Sequence, residues 1–421
     1  EITRMTNLAT LDLGSNAFSG TMSTLDYNFT LLQDSLLSLN LSSNNYHGSI
    51  PEAIQKATSL HKIDLSNNRY SSKLPNWSKS LKRLREIYLQ KNLLTGAIEE
   101  YVCSISSLEV LDLSNNLLVG KLPQIIISLM PNLRVLDLTS NSLSGKFPTP
   151  PSDGTSTYSF TKLVSFSLRQ NSFTGPFPDF GSLLSLQIID IANNQFTGNL
   201  PDLSKLSALR MLTMEHNLLT TPIELLETSK DFLNGLFNEP KPDLSVLDAS
   251  FNTFSGHIDP RIFNSTYLSM INLAGNCFSG VLPESICSSK NLESISLGEL
   301  TAGESCRSSV WDSTALSNIF DGFRDKSSIS GVIPSCIFSL PNLITLRLSG
   351  NGIPGTLPEI LGSSLKVLDA SHNRLHGTIP KEFFSSQLEV LDLSSNWLSG
   401  DLSFADDFVY TPKNTVYLQS N

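Results

Sequence analysis

The chain has 421 residues, of which 40% are hydrophobic and only 16% charged, and its formal net charge is −10 at pH 7. This acidic balance argues against a nucleic-acid-binding protein, which needs a basic surface. It is compatible with a soluble surface that meets basic or neutral partners.

A short unit repeats along the whole chain and is clearest at residues 108–123, LEVLDLSNNLLVGKLP. Leu111 and Leu113 alternate with more polar residues, which is the period of a short strand with one buried face. At Asn116 the chain must turn, and the side-chain amide can bind the backbone of its own turn and of the next coil. One coil cannot bury its leucines alone, so the unit predicts a stack of coils joined by a ladder of asparagines.

The ladder positions follow one another in a single phase, and most steps are 22 to 25 residues long. Fifteen asparagines occupy them: Asn16, Asn44, Asn68, Asn92, Asn116, Asn141, Asn171, Asn194, Asn217, Asn252, Asn276, Asn351, Asn373, Asn396 and Asn421. Between Asn276 and Asn351 the period leaves room for two more coils, with Leu300 and Ser327 at the ladder position. Seventeen ladder positions are therefore predicted.

The residues after the ladder positions, such as HGSIP at 47–51, VGKLP at 119–123 and HGTIP at 376–380, resemble the plant-type extracellular leucine-rich repeat. Similar repeats occur in algal and protist surface proteins. The resemblance implies an α/β solenoid, a right-handed superhelix with a concave parallel β-sheet and an irregular or short-helical convex side. We expect one continuous domain over residues 1–421, an internal piece of a longer protein without caps.

Three segments depart from the period, and the first, PPSDGTSTYS at 150–159, is a polar run expected to form a surface loop. Residues 218–243 form an enlarged outer segment, and the leucine and phenylalanine spacing at 223–237 fits an amphipathic helix. Residues 298–326 keep the length of a coil but lose the leucine phase. They are predicted to replace a coil, whereas the ligand-binding islands of some plant receptors interrupt the array. Two interpretations of this segment are therefore kept, a degenerate coil and a ligand-binding island.

Four of the five cysteines lie around this irregular coil. A local bridge there would hold a stretch that has no leucine layer of its own. The pair Cys287 and Cys306 is preferred, with Cys306 and Cys336 as the alternative. Cys103 and Cys277 are expected to be small buried apolar residues.

Four N-x-S/T sequons, at Asn28, Asn40, Asn76 and Asn264, predict N-glycosylation in an extracellular or cell-surface protein. Asn40 lies between Leu39 and Leu41 on a predicted strand, so its side chain should point out of the concave face.

Motifs for catalysis are not found. The string GNGIPG at 350–355 imitates a dinucleotide fingerprint, but it lies on a ladder turn and opens no helix. His372 and His376 are on either side of such a turn and cannot share a helix face, so a metal site there is not expected. The sequence predicts no enzyme, no cofactor and no metal.

Ligand binding is expected at those positions of the concave face where the residues differ from the common LDLS pattern. Aromatic and mixed charged side chains there resemble a binding patch more than the serine-rich background does. The candidate ligand-binding residues are Tyr88, Gln90, Lys91, Arg169, Gln170, Glu215, His216 and Phe251. Within this set, the patch from Arg169 to Phe251 is preferred, with Phe251 as its anchor.

Two classes of function remain. In the first, the chain is a non-enzymatic part of a receptor-like ectodomain that binds a peptide, protein or glycan on its concave face. In the second, it is a structural or adhesive glycoprotein of a cell wall or surface assembly, which self-associates. Membrane attachment would come only through a segment outside this sequence.

Overall fold

A computed structural model describes residues 5–21, 29–150, 157–221, 241, 243–300, 329, 331–384, 387–402 and 414–421. The chain divides into two compact units, Glu1–Phe196 and Thr197–Asn421. Each unit is a parallel β-solenoid with little helix, as the repeat predicted. That the whole chain forms one continuous domain stays a prediction.

One short strand from each coil pairs in parallel with the strand of the next coil. In the first unit these main-sheet strands are Thr10–Asp12, Ser38–Asn40, Lys62–Asp64, Glu86–Tyr88, Val110–Asp112, Val135–Asp137, Ser165–Ser167 and Ile188–Asp190. In the second unit they are Met211–Thr213, Val246–Asp248, Met270–Asn272, Ser294–Ser296, Thr345–Arg347, Val367–Asp369, Val390–Asp392 and Thr415–Tyr417.

Further short strands follow the ladder turns. They are Ser19–Gly20, Asn45–Gly48, Arg69–Tyr70, Thr95–Gly96, Leu117–Gly120, Ser142–Lys146, Ser172–Pro176, Gln195–Gly198, Leu218–Leu219, Ser255–Gly256, Cys277–Phe278, Pro354–Gly355, Arg374–Gly377 and Trp397–Leu398. In the described part of the outer side, Glu100–Cys103 is an α-helical turn, and 3-10 turns lie at Phe29–Leu32, Glu52–Lys56, Gln124–Ile127, Pro260–Asn264, Glu284–Ser288, Ser335–Ser339 and Lys381–Phe384. None of the described helices has the length and apolar character needed to cross a membrane.

The strand period explains the core. Leu111 and Leu113 are at most 1% exposed. Asp112, which lies between them, and Val110, which precedes Leu111, are half-buried. Only alternate residues point inward, so each coil contributes a thin apolar layer that its neighbours must cover.

The asparagine ladder is confirmed, although the side chain reaches the opposite neighbour from the one expected. The Asn116 Nδ2 donates to Leu113 O of its own coil (3.1 Å) and to Leu89 O of the preceding coil (3.0 Å). Its Oδ1 accepts the N–H of Leu94 in that preceding coil at 3.0 Å. The link to the following coil is made by the Asn116 backbone N–H, which donates to Ser140 O at 3.2 Å.

The prediction of two coils between Asn276 and Asn351 is wrong. Ser294–Ser296 pairs directly with Thr345–Arg347, with Ile295 opposite Leu346, so no further strand lies between them. Between Asn276 and Asn351 the described residues form one coil, with Leu300 at its ladder position, and the Leu300 N–H donates to the Asn351 Oδ1 at 2.8 Å. After Leu300 the described chain resumes at Ile329, which bridges to Gly280. The predicted ladder position Ser327 lies outside the described residues, and the direct pairing of the two strands leaves no place for its coil in the sheet.

The disulfide predictions are wrong as well. Cys287 is bonded to Cys336 across 49 residues of sequence, with 5.7 Å between their Cα atoms. Because only one coil separates Asn276 from Asn351, the outer turns Glu284–Ser288 and Ser335–Ser339 belong to neighbouring coils. Cys103 is free and buried, as expected, whereas Cys277 is also disulfide-bonded. Cys306 lies outside the described residues.

Most of the 218–243 outer segment, including the predicted helix at 223–237, also lies outside the described residues. Of the sequons, Asn28 lies outside them too. Asn76 and Asn264 are exposed on the outer segments. Asn40 is half-buried on its strand, where its Nδ2 donates to Asp12 Oδ1 at 2.9 Å and its Oδ1 accepts the Ser42 N–H at 3.0 Å.

Candidate functional site

The exposed face of the main-sheet strands and of the turns that follow them is here called the sheet face. Of the candidate ligand-binding residues, Tyr88 lies on a strand and the other seven lie just after one. The residue directly before each ladder position has a positive φ in every coil that the structure describes. These residues, here called the turn column, are Ser15, Ser43, Asn67, Lys91, Asn115, Ser140, Gln170 and Asn193 in the first unit, and His216, Phe251, Gly275, Glu299, Gly350, His372, Ser395 and Ser420 in the second. Residues with a side chain rarely adopt this conformation, and β-branched ones do so least. None of these residues is β-branched, and four of the eight predicted ligand-binding residues belong to the column.

Tyr88 is engaged within its own unit. The Lys62 ammonium lies 4.7 Å from the centre of the Tyr88 ring, and it also pairs with Glu86 Oε2 at 3.0 Å. Burial raises the pKa of the Tyr88 hydroxyl, and the Glu86 charge raises it further. Burial alone would lower the pKa of Lys62, but the Glu86 hydrogen bond and charge outweigh it, so that pKa is raised. The Tyr88 ring therefore already has a cationic partner on the protein.

The other two candidates of this coil differ from each other. The Gln90 side chain is half-buried, and its Oε1 accepts no hydrogen bond from the described part of the chain. Lys91 is exposed on the turn column, with a φ of 56°. A ligand that lies over this coil would meet the Lys91 ammonium first.

Arg169 and Gln170 lie in the first unit and are both held by neighbours. The Arg169 Nε donates to Asp190 Oδ2 at 2.7 Å, and the carboxylate of that pair is only 12% exposed. The Ser140 hydroxyl donates to Gln170 Oε1 at 2.6 Å. A partner of Arg169 would therefore share a guanidinium that already binds a carboxylate.

His216 and Phe251 form a stacked aromatic pair on the second unit. Their ring centres are 4.4 Å apart, the planes differ by 5°, and Phe251 remains 47% exposed. On its other side the Phe251 ring covers Gly275, where a Cβ would lie 2.7 Å from Phe251 Cδ1. Gly275 is buried as a result. This pair is here called the aromatic shelf.

Glu215 lies beside the shelf but does not share its exposure. It is only 9% exposed, whereas its neighbour His216 projects from the turn column. The patch predicted from Arg169 to Phe251 thus has members in both compact units, and that it acts as one surface stays a prediction. Sequence reasoning chose Phe251 for its type but missed the stacking and the backbone conformation.

Several aspartates at the ends of the main-sheet strands accept hydrogen bonds from the serine two residues later, and so hold the turn that follows the strand. Asp112 Oδ1 accepts hydrogen bonds from the Ser114 N–H at 3.0 Å and from the Ser114 hydroxyl at 2.7 Å. The same pair recurs at Asp64 with Ser66 and at Asp392 with Ser394. Burial raises the pKa of Asp112 despite these bonds, and the Asp137 charge adds to the rise.

The Leucine Rich Repeat family matches the chain at residues 35–57, 107–129, 132–153, 185–206, 267–289, 342–363 and 364–386. Together with the coil, the ladder and the parallel sheets, these matches define the class. These matches show leucine-rich repeats at seven places in the chain.

Within that class the chain is similar to plant receptor-like proteins. Receptor-like protein 18 of Arabidopsis thaliana is 30% identical over 34% of this chain and 17% of its own length. Receptor-like protein 35 of the same plant is 31% identical over 40% of this chain and 18% of its own length. The chain thus spans less than a fifth of either relative.

Two solved structures share the fold over nearly the whole chain. The plant peptide hormone receptor RGFR1, solved in complex with RGF2, aligns with a TM-score of 0.79 at 25% identity, over 100% of this chain and 64% of that one. The Arabidopsis receptor kinase HAESA, solved with the peptide hormone IDA and the co-receptor SERK1, aligns with a TM-score of 0.73 at 29% identity. That alignment covers 99% of this chain and 63% of that one.

Proposed function

We propose that this chain is part of the extracellular, ligand-binding region of a plant-type receptor-like protein. It binds a peptide or protein through the sheet face and performs no catalysis. The similarity to peptide hormone receptors solved with their peptides supports this assignment, since the fold of this chain aligns with both of them over nearly its full length.

The observation that carries the proposal is the aromatic shelf. His216 and Phe251 both have a positive φ, of 54° and 51°, in a column where glycine, asparagine and serine are otherwise common. A bulky residue in this region costs about 1–2 kcal/mol relative to a relaxed backbone. Because the fold has a positive φ at this position in every described coil, asparagine or glycine would lower this cost, which favours a role for the aromatic side chains themselves. Here the side chains present an exposed aromatic surface to solvent.

The size of the expected effect follows from the exposure of Phe251. Fully burying a phenylalanine contributes about 1.5–3 kcal/mol. Because 47% of the side chain is exposed, a ligand that covered it would gain about 1 kcal/mol from this residue. Loss of the ring should therefore weaken binding by about fivefold.

The test begins with selection of ligands for the folded chain from a phage-displayed library of random dodecapeptides. Dissociation constants of the selected peptides are then measured by calorimetry for the wild type, Phe251→Asn and His216→Asn. Asparagine is chosen because it tolerates a positive φ. The matched control is Tyr267→Asn, since Tyr267 is an aromatic residue of the same unit, 60% exposed, that lies outside the sheet strands.

We expect selected peptides to bind Phe251→Asn and His216→Asn about fivefold more weakly, while Tyr267→Asn binds like the wild type. Equal affinities for all four proteins would refute the sheet face as the binding surface. In that case, concentration-dependent self-association of the chain in ultracentrifugation would support a structural or adhesive role.

A further inference from the structure

A second candidate surface lies in the first unit, at the edge where the main-sheet strands begin. A groove of about 390 Å³ runs across this edge and is lined by Glu109, Asn132, Arg134, Lys162, Val164 and Ser185. Arg134 and Val164 directly precede the paired strands Val135–Asp137 and Ser165–Ser167. The lining residues come from four successive coils, so the groove is roughly 15 Å long at the usual strand spacing.

The charges around the groove do not cancel. Of the acidic residues on this edge, Glu109 pairs with Arg85 at 3.2 Å, and Glu86 pairs with Lys62 at 3.0 Å. These pairs do not involve the two cations that line the groove, Arg134 and Lys162. Arg134 is exposed and has no carboxylate within salt-bridge distance among the described residues.

Lys162 is oriented into the groove by a neutral group. Its Nζ donates to Asn132 Oδ1 at 2.9 Å, and the Asn132 Nδ2 is fixed in turn on Ser106 O at 3.2 Å. An ammonium held by a neutral amide keeps its full charge available to a further acceptor. Arg134 and Lys162 thus both lack a carboxylate partner among the described residues, in a chain whose net charge is −10.

We propose that this groove binds the carboxylate side chains of an acidic peptide segment. The guanidinium of Arg134 would take one carboxylate in a bidentate geometry, and Lys162 would bind a second as a point charge. Side chains on one side of an extended peptide recur roughly every 6.6 Å, so two glutamates separated by one residue can reach cations on neighbouring coils. The inference rests on the proposed function, because it assigns the polarity of a peptide ligand.

The probe is a synthetic peptide, acetyl-Gly-Glu-Ser-Glu-Gly-amide, with the matched peptide in which both glutamates are glutamine. Binding to the folded chain is followed by NMR chemical-shift titration at low salt. Proteins tested are the wild type, Arg134→Gln, Lys162→Gln and the control Lys290→Gln, which removes an exposed lysine of the second unit. A short oligomer of galacturonic acid is titrated separately, because a sugar acid carries the same carboxylate chemistry.

The glutamate peptide should bind the wild type and Lys290→Gln at least tenfold more tightly than the glutamine peptide does. Each groove variant should lose about tenfold of that affinity, as expected for a charge-assisted hydrogen bond. Raising the salt concentration to 0.5 M should weaken binding, because exposed charges are screened.

Equal binding of the two peptides would overturn the proposal, and so would a response to the sugar acid alone. Phe251→Asn separates this proposal from the one on which it rests. If Phe251→Asn loses selected peptides while the acidic probe fails on every protein, only the groove assignment is refuted. If the probe depends on Arg134 but no selected peptide depends on Phe251, the groove stands and the aromatic shelf does not.

Discussion

Replacing Asn116 by alanine should destabilise the first unit without changing any exposed surface. Asn116 is 6% exposed, and its side chain bonds Leu89 O, Leu113 O, Ser114 O and the Leu94 N–H. Alanine removes all four bonds at once. A buried backbone group that loses its partner costs about 1–3 kcal/mol, and the carbonyls keep other acceptor capacity, so the loss is dominated by the Leu94 N–H. We expect a loss of about 1–3 kcal/mol in the free energy of unfolding.

Two further variants separate hydrogen bonding from the loss of volume. Asn116→Asp keeps the acceptor for Leu94 but turns an oxygen toward three carbonyls, so at neutral pH it should be less stable than alanine. Asn45→Ala is the control, because Asn45 is exposed and its side chain makes no hydrogen bond among the described residues. Thermal and urea unfolding followed by circular dichroism measure all four proteins. A midpoint for Asn116→Ala within error of Asn45→Ala would refute the ladder as a source of stability.

Three other predictions concern covalent and ionisable groups. Non-reducing peptide mapping should find Cys287 joined to Cys336, and Cys103 should resist alkylation in the folded protein, because burial raises the pKa of its thiol to about 12. In the protein secreted from a eukaryotic host, Asn76→Gln and Asn264→Gln should each remove one glycan mass, whereas Asn40→Gln should remove none, since a sugar on Asn40 Nδ2 would displace Asp12. The raised pKa of Asp112 means that its ionisation opposes folding, so Asp112→Asn should unfold like the wild type below pH 3.8 and gain relative stability as the pH rises through the raised value. Equal pH profiles of the two proteins would contradict that account.

The regular part of the fold could be predicted because each feature has a fixed spacing. The alternation around Leu111 and Leu113 sets which residues are buried, and the recurrence of asparagine sets the turn. The number of coils between Asn276 and Asn351 could not be read in this way. The 28 residues at 301–328 are close to one period in length, so length alone predicts one more coil than the strand pairing allows. The error carried over to the disulfide, because pairing of Cys287 with Cys336 requires their outer turns to be neighbours.

The candidate site was predictable in residue type but not in geometry. Phe251 was singled out because it breaks the LDLS pattern, yet neither its stacking on His216 nor its contact with Gly275 has a sequence signal. The sequence does, however, carry a signal for the positive φ of the turn column. Asn67, Asn115 and Gly275 are residue types that tolerate a positive φ, and they all directly precede a ladder asparagine.

Gly275 offers a test of how the aromatic shelf is built. Gly275→Ala adds a Cβ 2.7 Å from Phe251 Cδ1 on a backbone with a φ of +64°. Gly198→Ala is the matched control, because Gly198 has a φ of +78° but nothing within 4 Å of the added atom. Both variants should lose about 1 kcal/mol for the strained backbone.

Gly275→Ala should lose about 1–3 kcal/mol more than Gly198→Ala, because the Phe251 ring must move. That excess should disappear in a Phe251→Asn background, where the ring is absent. Unfolding free energies of the single and double variants measure the coupling directly. An excess that persists without Phe251 would mean that the ring does not pack on Gly275. The aromatic shelf, on which the binding proposal depends, would then not be held in place by that contact.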